Sequence, residues 1–247
     1  MIVSTDTVDI PAGPGVMRCF SARPAVPGTW PGVVFFSDIF QLTGTMKRSC
    51  VRLAGHGFVV VAPEIYHHLE APGEVIPFDD AGRARGLANA SRSAVAQFDA
   101  GTRLALDHLA RHPSVAPGQL AAAGFCIGGH LAFRAALQPE VKATACFYGT
   151  GIHDGRLGAD ADAGSLQRAA EIRGRLLLVW GRNDPHIPEA GRRIIEQGLR
   201  EAGTDVEQRL YAAEHAFMRD EGPRHDPEAT DLAFAEMVRF FRSAFGR

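Results

Sequence analysis

The segment Gly124-Phe-Cys126-Ile-Gly128-Gly129 follows a predicted β-strand, residues 120–124, and precedes a helix that is predicted to begin near Gly128. Glycine two positions before and after the cysteine permits a tight turn from strand to helix. Such a turn raises the cysteine side chain above the sheet, where the helix dipole and free N–H groups favour a thiolate and an oxyanion. The segment therefore predicts an α/β fold with Cys126 as nucleophile. A small cysteine that merely packs in a glycine turn is the alternative.

Strands and helices alternate on both sides of this segment. Residues 32–37 and 58–62 are short apolar runs rich in β-forming residues, and a helix with Met46 and Leu53 at helical spacing separates them. The remaining predicted elements are a helix around 95–109, strands at 143–147, 175–180 and 206–211, and helices at 191–202 and 230–245. This order indicates an α/β-hydrolase fold, with a mostly parallel central sheet and helices on both faces.

Two stretches, 64–92 and 149–171, lack clear periodicity and carry many Gly, Pro, Asp or Arg residues. We expect them to be surface excursions near the functional site, because loops that follow parallel strands collect there. A length of 247 residues suffices for one substantial core, so residues 1–247 are predicted to form a single domain.

Composition narrows the class of protein. The net charge of −2 leaves no broad basic surface, so nucleic acid is not an expected partner. The first eleven residues lack the basic start and apolar core of a secretory signal, and the apolar runs are too short to span a bilayer, so we expect no membrane association and a cytoplasmic protein. The sequence does not indicate the oligomeric state.

The other cysteines and a histidine pair carry no comparable signal. Cys19, Cys50 and Cys146 are widely spaced without a CxxC pair, and packing is their expected role. The pair His67-His68 has no evident third ligand, so no metal site is predicted.

A base and an acid follow the nucleophile in the order that the α/β-hydrolase fold uses. Asp184 lies after the strand 175–180, and His215 lies after the strand 206–211. His215 would accept the thiol proton, and Asp184 would fix the imidazole tautomer. A turn-forming aspartate and an ordinary half-buried histidine are the alternatives for these two residues.

The chain resembles the dienelactone hydrolase family over nearly its whole length. The segment around Cys126 resembles the family's Gly-aromatic-Cys-aliphatic-Gly-Gly motif, and Ala62-Pro-Glu64-Ile-Tyr66 resembles its Pro-acid-aliphatic-Tyr segment. Asp184 and the segment His215-Ala-Phe-Met-Arg219 match its acid and its His-x-Phe-x-Arg ending. The resemblance implies an enzyme that opens an ester or lactone, a small molecule, through an acyl-cysteine and without a metal or organic cofactor.

The family also implies roles for residues around the nucleophile. Asp38 occupies the place of an acidic residue, usually glutamate, that contacts the resting thiol, and Phe40 stands where glycine is usual. A capping role is the alternative for Asp38. By geometry, the backbone N–H groups of Ile127 and Ile39 are predicted to form the oxyanion hole.

Family members that act on dienelactone bind its carboxylate with arginines. Arg219 matches one of them, and Arg83 or Arg85 is available for the second. A solvated surface charge is the alternative for all three arginines. Tyr148 is a candidate for lining the cavity, although an aromatic residue beside a strand is more often part of the core.

Three functional hypotheses follow. The first is hydrolysis of a carboxylate-bearing lactone or enol ester. The second keeps the mechanism but assigns neutral carboxylic esters or thioesters, because Asp38, Phe40 and the long loop 64–80 depart from the family pattern. The third is a binding or redox-sensing protein that uses Cys126 as a reactive thiol without turnover.

Overall fold

The computed structural model describes residues 1–246. Its strands are β1 (Val3–Ala12), β2 (Gly15–Pro24), β3 (Trp30–Phe36), β4 (Val59–Pro63), β5 (Val115–Phe125), β6 (Val141–Phe147), β7 (Arg175–Gly181) and β8 (Val206–Tyr211). Its helices are α1 (Gly44–Gly55), α2 (Asp80–Arg92), α3 (Val95–Arg111), α4 (Ile127–Ala135), α5 (Glu189–Glu201) and α6 (Pro227–Ala244), with a short 3-10 helix at Ala169–Glu171.

All eight strands form one sheet in the order β1-β2-β4-β3-β5-β6-β7-β8. The strands from β4 to β8 in this order pair in parallel, while β2 pairs antiparallel with both β1 and β4. Every residue of β4 is buried, and only the first residue of β3 and of β7 is partly exposed. Strands buried on both faces are covered by helices on both faces, so the predicted α/β-hydrolase architecture is confirmed.

The hairpin of β1 and β2 was not predicted. Its strands include Asp6, Asp9 and Arg18, and much of β1 is exposed because it forms the edge of the sheet. The unbroken apolar pattern that identifies the central strands is therefore missing here. Arg18 and Asp9 instead form an ion pair across the hairpin, with 2.7 Å between Nη2 and Oδ2.

Helix α2 lies within the stretch 64–92, in which the sequence shows no clear periodicity. The buried residues of this helix are Gly82, Gly86 and Asn89, so no apolar stripe marks it in the sequence. A Cβ atom on Gly86 would lie 2.5 Å from the carbonyl oxygen of Ile39, which means that the backbones of the helix and of the loop after β3 are in close contact. Because Gly86 has no side chain, α2 can pack this closely against the loop.

The second stretch, 149–171, is irregular apart from its short 3-10 helix, as predicted. A buried network attaches it to α4: the His130 ring lies 2.8 Å from the Thr150 carbonyl oxygen through Nδ1 and 2.7 Å from Ser165 Oγ through Nε2. Arg134 donates to the same Ser165 hydroxyl and pairs with Asp99. The loop is thereby fixed to the helix that begins beside Cys126.

No helix among residues 1–246 has both the length and the apolar character needed to cross a bilayer.

Candidate active site

Cys126 lies at the turn between β5 and α4, at the carboxyl edge of the sheet. Its backbone has φ 57° and ψ −122°, a conformation that costs a non-glycine residue about 1 to 3 kcal/mol. The turn depends on close backbone contacts: a Cβ on Gly124 would lie 1.9 Å from the Gly128 carbonyl oxygen, and a Cβ on Gly128 would lie 2.3 Å from the Ser37 carbonyl oxygen. The predicted tight turn is confirmed, and Cys126 is partly exposed on it.

His215 and Asp184 approach the turn from the ends of β8 and β7. The Nδ1 atom of His215 lies 2.7 Å from Asp184 Oδ2, and both side chains are buried. Asp184 Oδ1 accepts a hydrogen bond of 2.8 Å from the backbone N–H of His186, which fixes the carboxylate. The His215 ring is also hydrogen-bonded to the Cys126 side chain. The three residues predicted from chain order are therefore joined by hydrogen bonds.

The protonation of His215 reflects opposing influences. Burial disfavours the charged imidazole, but the negative charge of the Cys126 sulfur and the hydrogen bonds to Asp184 and Cys126 outweigh it. Together they raise the pKa of His215 to about 10. A histidine of this kind holds a proton at neutral pH and can deliver it to a leaving group.

The two backbone N–H groups that are predicted to form the oxyanion hole have no acceptor within residues 1–246. Ile127 is the first residue of α4, so its N–H has no acceptor within the helix. The N–H of Ile39 makes no hydrogen bond within residues 1–246. The close contact of Gly128 with the carbonyl oxygens of Ser37 and Phe36 holds the start of α4 against the loop that carries Ile39.

The Asp38 carboxylate makes its hydrogen bonds with groups other than the Cys126 thiol. Its Oδ1 atom accepts a hydrogen bond of 3.0 Å from the backbone N–H of Phe40, and its Oδ2 atom pairs with Arg219 Nη2. Within the described chain, neither oxygen is hydrogen-bonded to Cys126. The carboxylate is still close enough to act electrostatically on Tyr148, which Cys126 also influences.

Arg219 is buried beside an edge-to-face pair of aromatic rings, Phe40 and Phe78. Its guanidinium carbon lies 4.9 Å from the ring centre of Phe40 and 4.5 Å from that of Phe78. Its Nη1 atom has no hydrogen-bond partner among residues 1–246, although the side chain is only 4% exposed. The Nη1 edge of this guanidinium is thus left to donate to a further acceptor.

Arg83 and Arg85 lie on different sides of α2. Arg85 forms ion pairs with Glu70 and Glu74, so its charge is engaged by the preceding loop. The Arg83 guanidinium makes no ion pair or hydrogen bond within residues 1–246. Its charge is among those that act on His186, the residue whose ring packs 4.7 Å from that of His215. Of the two arginines, Arg83 is the one near the predicted triad.

Tyr148 is a buried residue next to the triad. Its ring centre lies 5.1 Å from that of His215 and 5.4 Å from that of Phe217. Burial, together with the charges of Asp38 and Cys126, raises the pKa of its phenol well above the ordinary value.

Three neighbours of the site received no role from the sequence: Tyr66, Phe78 and His186. Tyr66 was part of a motif, and His186 stood in the loop of Asp184, but neither position alone indicates proximity to Cys126. Phe78 precedes α2, and its contact with Arg219 depends on how that helix docks. Among residues 1–246, no group of three or more His, Cys, Asp or Glu side chains could hold a metal ion.

Known proteins resemble this chain in sequence and in fold. A protein of Saccharomyces cerevisiae named "Putative carboxymethylenebutenolidase" is 34% identical over 90% of this chain and 84% of its own length. The carboxymethylenebutenolidase of a Pseudomonas species is 28% identical over 90% of each chain. The crystal structure titled "Putative Dienelactone Hydrolase" from Klebsiella pneumoniae has a TM-score of 0.83 and 25% identity, and the match covers 98% of this chain and 99% of that one.

The family comparison gives the most direct assignment. The sequence profile of the Dienelactone hydrolase family matches residues 17–245, a range that includes the turn at Cys126 as well as Asp184 and His215. Together with the relatives above, this match identifies a hydrolase of the carboxymethylenebutenolidase type, which acts on small molecules. The chain belongs to the dienelactone hydrolase family.

Proposed function

We propose that this protein hydrolyses a lactone or enol ester through an acyl-cysteine intermediate, with Cys126, His215 and Asp184 as its catalytic triad. The observation that carries the proposal is the hydrogen-bonded chain from Asp184 Oδ2 through the His215 ring to Cys126. Nucleophile, base and orienting carboxylate in hydrogen-bond contact are the arrangement that covalent acyl transfer requires.

The reaction would proceed in two steps. The Cys126 thiolate adds to the carbonyl carbon, and the carbonyl oxygen becomes an oxyanion that accepts from the N–H groups of Ile127 and Ile39. The oxyanion collapses, the bond to the leaving oxygen breaks, and protonated His215 gives its proton to that oxygen. His215 then takes a proton from water as this water attacks the thioester, and collapse of the second oxyanion breaks the C–S bond, releases the carboxylic acid and restores the Cys126 thiolate beside protonated His215. Neither step needs a metal ion or an organic cofactor.

A substrate that carries a carboxylate is the leading candidate. Arg219 Nη1 is a buried donor without a partner, and Arg83 is an unpaired cation near His186. Guanidinium groups bind carboxylates strongly because the hydrogen bonds are charge-assisted. The two relatives above are named for a butenolide that bears a carboxymethylene group, in agreement with this choice.

Neutral esters or thioesters are the second candidate, and one observation favours them. The charge of Arg219 is already balanced by Asp38, and the rings of Phe40 and Phe78 cover the guanidinium. A balanced charge under apolar rings attracts a second anion less strongly than a free guanidinium would. In this case an apolar ester would pack against the two rings.

We also propose that residues 1–247 act as one domain, because side chains from position 38 to position 219 meet at one edge of one sheet. A cytoplasmic location stays a prediction.

A panel of enol lactones and esters, with and without a carboxylate, tests the proposal. Cys126→Ala should abolish turnover of every member. Intact-mass spectrometry after acid quench should show one acyl group on the wild-type protein and none on Cys126→Ala, which retains the three buried cysteines. Unchanged esterase activity in Cys126→Ala would overturn the mechanism. A preference for neutral esters that survives Arg219→Ala would select the second substrate class.

A further inference from the structure

Tyr66 has a fully buried side chain and follows β4 directly, at the same edge of the sheet as Cys126. Its phenol oxygen has no hydrogen-bond partner within residues 1–246. Its backbone is fixed, because its N–H donates to Gln41 Oε1 at 3.0 Å. A buried hydroxyl without a partner destabilises the folded state, and a role in binding a ligand explains why a protein would keep such a group.

The surroundings of the phenol indicate what it faces. Burial, followed by the charges of Cys126 and Asp38, raises the pKa of Tyr66 well above its ordinary value. The hydroxyl therefore keeps its proton at neutral pH and is available as a donor. Neither neighbour accepts this proton: Cys126 is hydrogen-bonded to His215, and Asp38 accepts from Phe40 and Arg219.

Other buried polar atoms nearby also lack partners. Arg219 Nη1 is one, on the guanidinium that pairs with Asp38, and the loop after β3 contributes Ser37 Oγ and Gln41 Nε2. Ile39 N–H, in the same loop, is a free donor as well. Several unsatisfied groups in the segments next to the nucleophile are expected where a polar substrate completes the hydrogen bonding.

We propose that Tyr66 is a further catalytic residue, whose hydroxyl donates a hydrogen bond to the substrate's carbonyl oxygen as Cys126 adds to the carbonyl carbon. The inference rests on the acyl-cysteine mechanism proposed above. The bond between sulfur and carbon forms, the carbonyl π electrons move to the oxygen, and the phenol keeps its covalent proton. Tyr66 thus adds a side-chain donor to the backbone N–H groups of Ile127 and Ile39.

The other two tyrosines of the chain provide comparisons. The Tyr148 phenol oxygen accepts from the backbone N–H of Met218, whereas the Tyr66 oxygen has no hydrogen-bond partner within residues 1–246. Tyr211 is only partly buried, at the end of β8, where Glu236 and Arg209 are its charged neighbours. Tyr211→Phe therefore makes the same chemical change as Tyr66→Phe outside the site.

The test compares Tyr66→Phe with Tyr211→Phe in the full chain, using an activated ester that the wild-type protein hydrolyses. Tyr66→Phe should lower kcat by about 10- to 100-fold, as expected for the loss of one oxyanion donor, and change KM by less than about threefold. Tyr211→Phe should retain wild-type kcat. Because the removed hydroxyl has no partner, the melting temperature of Tyr66→Phe should be no lower than that of the wild type.

A second measurement separates catalysis from a structural role. A trifluoromethyl ketone adds to the cysteine and forms a tetrahedral oxyanion, so its Ki should weaken in Tyr66→Phe by about the same factor as kcat/KM. The Ki of the carboxylic acid product, which forms no such oxyanion, should stay unchanged.

Wild-type kcat/KM in Tyr66→Phe, or an activity loss without weaker binding of the ketone, would overturn the inference. A Tyr66→Phe protein that melts at lower temperature or fails to fold would also overturn it, because the hydroxyl would then be structural. If Tyr66→Phe matches the wild type while Cys126→Ala is inactive, only the role of Tyr66 fails. Activity in Cys126→Ala would overturn both proposals.

Discussion

Asp38 and Arg219 are 181 positions apart in the chain and form an ion pair whose side chains are 14% and 4% exposed. The pair joins the loop after β3, which carries Ile39, to the segment that follows His215. The position of a predicted oxyanion donor is therefore linked to that of the predicted base through one contact between two charged side chains.

Replacing one member of this pair should destabilise the fold. Asp38→Asn leaves the buried guanidinium without a compensating charge, and we expect the free energy of unfolding to fall by about 3 kcal/mol. Urea denaturation at pH 7 measures this change. The double variant Asp38→Asn/Arg219→Met should recover part of the loss, because the uncompensated charge is gone. Equal losses in the single and double variants would show that charge pairing is not the cause.

Arg83 and Arg85 should differ in their effect on anionic substrates. Arg83→Ala should lower kcat/KM for a carboxylate-bearing ester by about tenfold and leave a neutral ester unaffected, because one charge-assisted hydrogen bond is lost. Arg85→Ala is the matched control on the same helix. It removes ion pairs with Glu70 and Glu74 rather than an unpaired charge, so it should leave kcat/KM for both esters unaffected. The measurement is steady-state kcat/KM of each variant on the two esters. Equal effects of Arg83→Ala and Arg85→Ala would contradict the assignment of Arg83 to the substrate carboxylate.

Gly128→Ala should disrupt the turn at Cys126. The added methyl group would lie 2.3 Å from the Ser37 carbonyl oxygen and 2.5 Å from that of Phe36, and backbone atoms cannot move away as a flexible side chain can. We expect a protein that is either poorly folded or at least 100-fold less active, as measured by circular dichroism and ester hydrolysis. Gly15→Ala, where the nearest atom is 4.0 Å away, should behave like the wild type. Normal activity in Gly128→Ala would mean that the turn is not tightly packed.

His130 should contribute to acid sensitivity. The pKa of the His130 imidazole is lowered from 6.5 to about 4, and the largest cause is its complete burial. As pH falls from 6.5 toward 4, the unfolded chain binds a proton at this residue and the folded chain does not, so stability decreases by up to about 3 kcal/mol. Urea denaturation at pH 7, 6 and 5 should therefore show a smaller pH-dependent loss in His130→Gln than in the wild type. His225→Gln, a change outside the core, should lose as much stability between pH 7 and pH 5 as the wild type. If His130→Gln also loses as much as the wild type, His130 is not the source of the acid sensitivity.

The parts of the fold that could be predicted are those with a strong local pattern. The central strands are continuous apolar runs, and the turn at Cys126 needs two glycines at fixed spacing, so both are visible in the sequence. Asp184 and His215 followed from the strands that precede them. The hairpin of β1 and β2 lacked such a pattern because an edge strand exposes polar side chains.

Other features depend on contacts between distant segments. Helix α2 packs through Gly82 and Gly86 rather than through an apolar stripe, so its periodicity was not recognised. Arg83 and Arg85 are two positions apart and point to different sides of that helix, and only the contact of Gly86 with Ile39 decides which side faces the site. Asp38 was expected beside the thiol, but its partner Arg219 comes from the other end of the chain.

The contact between Gly86 and Ile39 has an evolutionary consequence. A helix that carries a candidate recognition residue, Arg83, packs directly against the backbone of Ile39, a predicted oxyanion donor. A mutation that shifts α2 to accommodate a new substrate would also displace the Ile39 N–H, so binding preference and chemical rate are expected to change together. New substrate specificities should therefore arise more readily through changes of exposed side chains beside the site, such as Phe78, than through movement of α2.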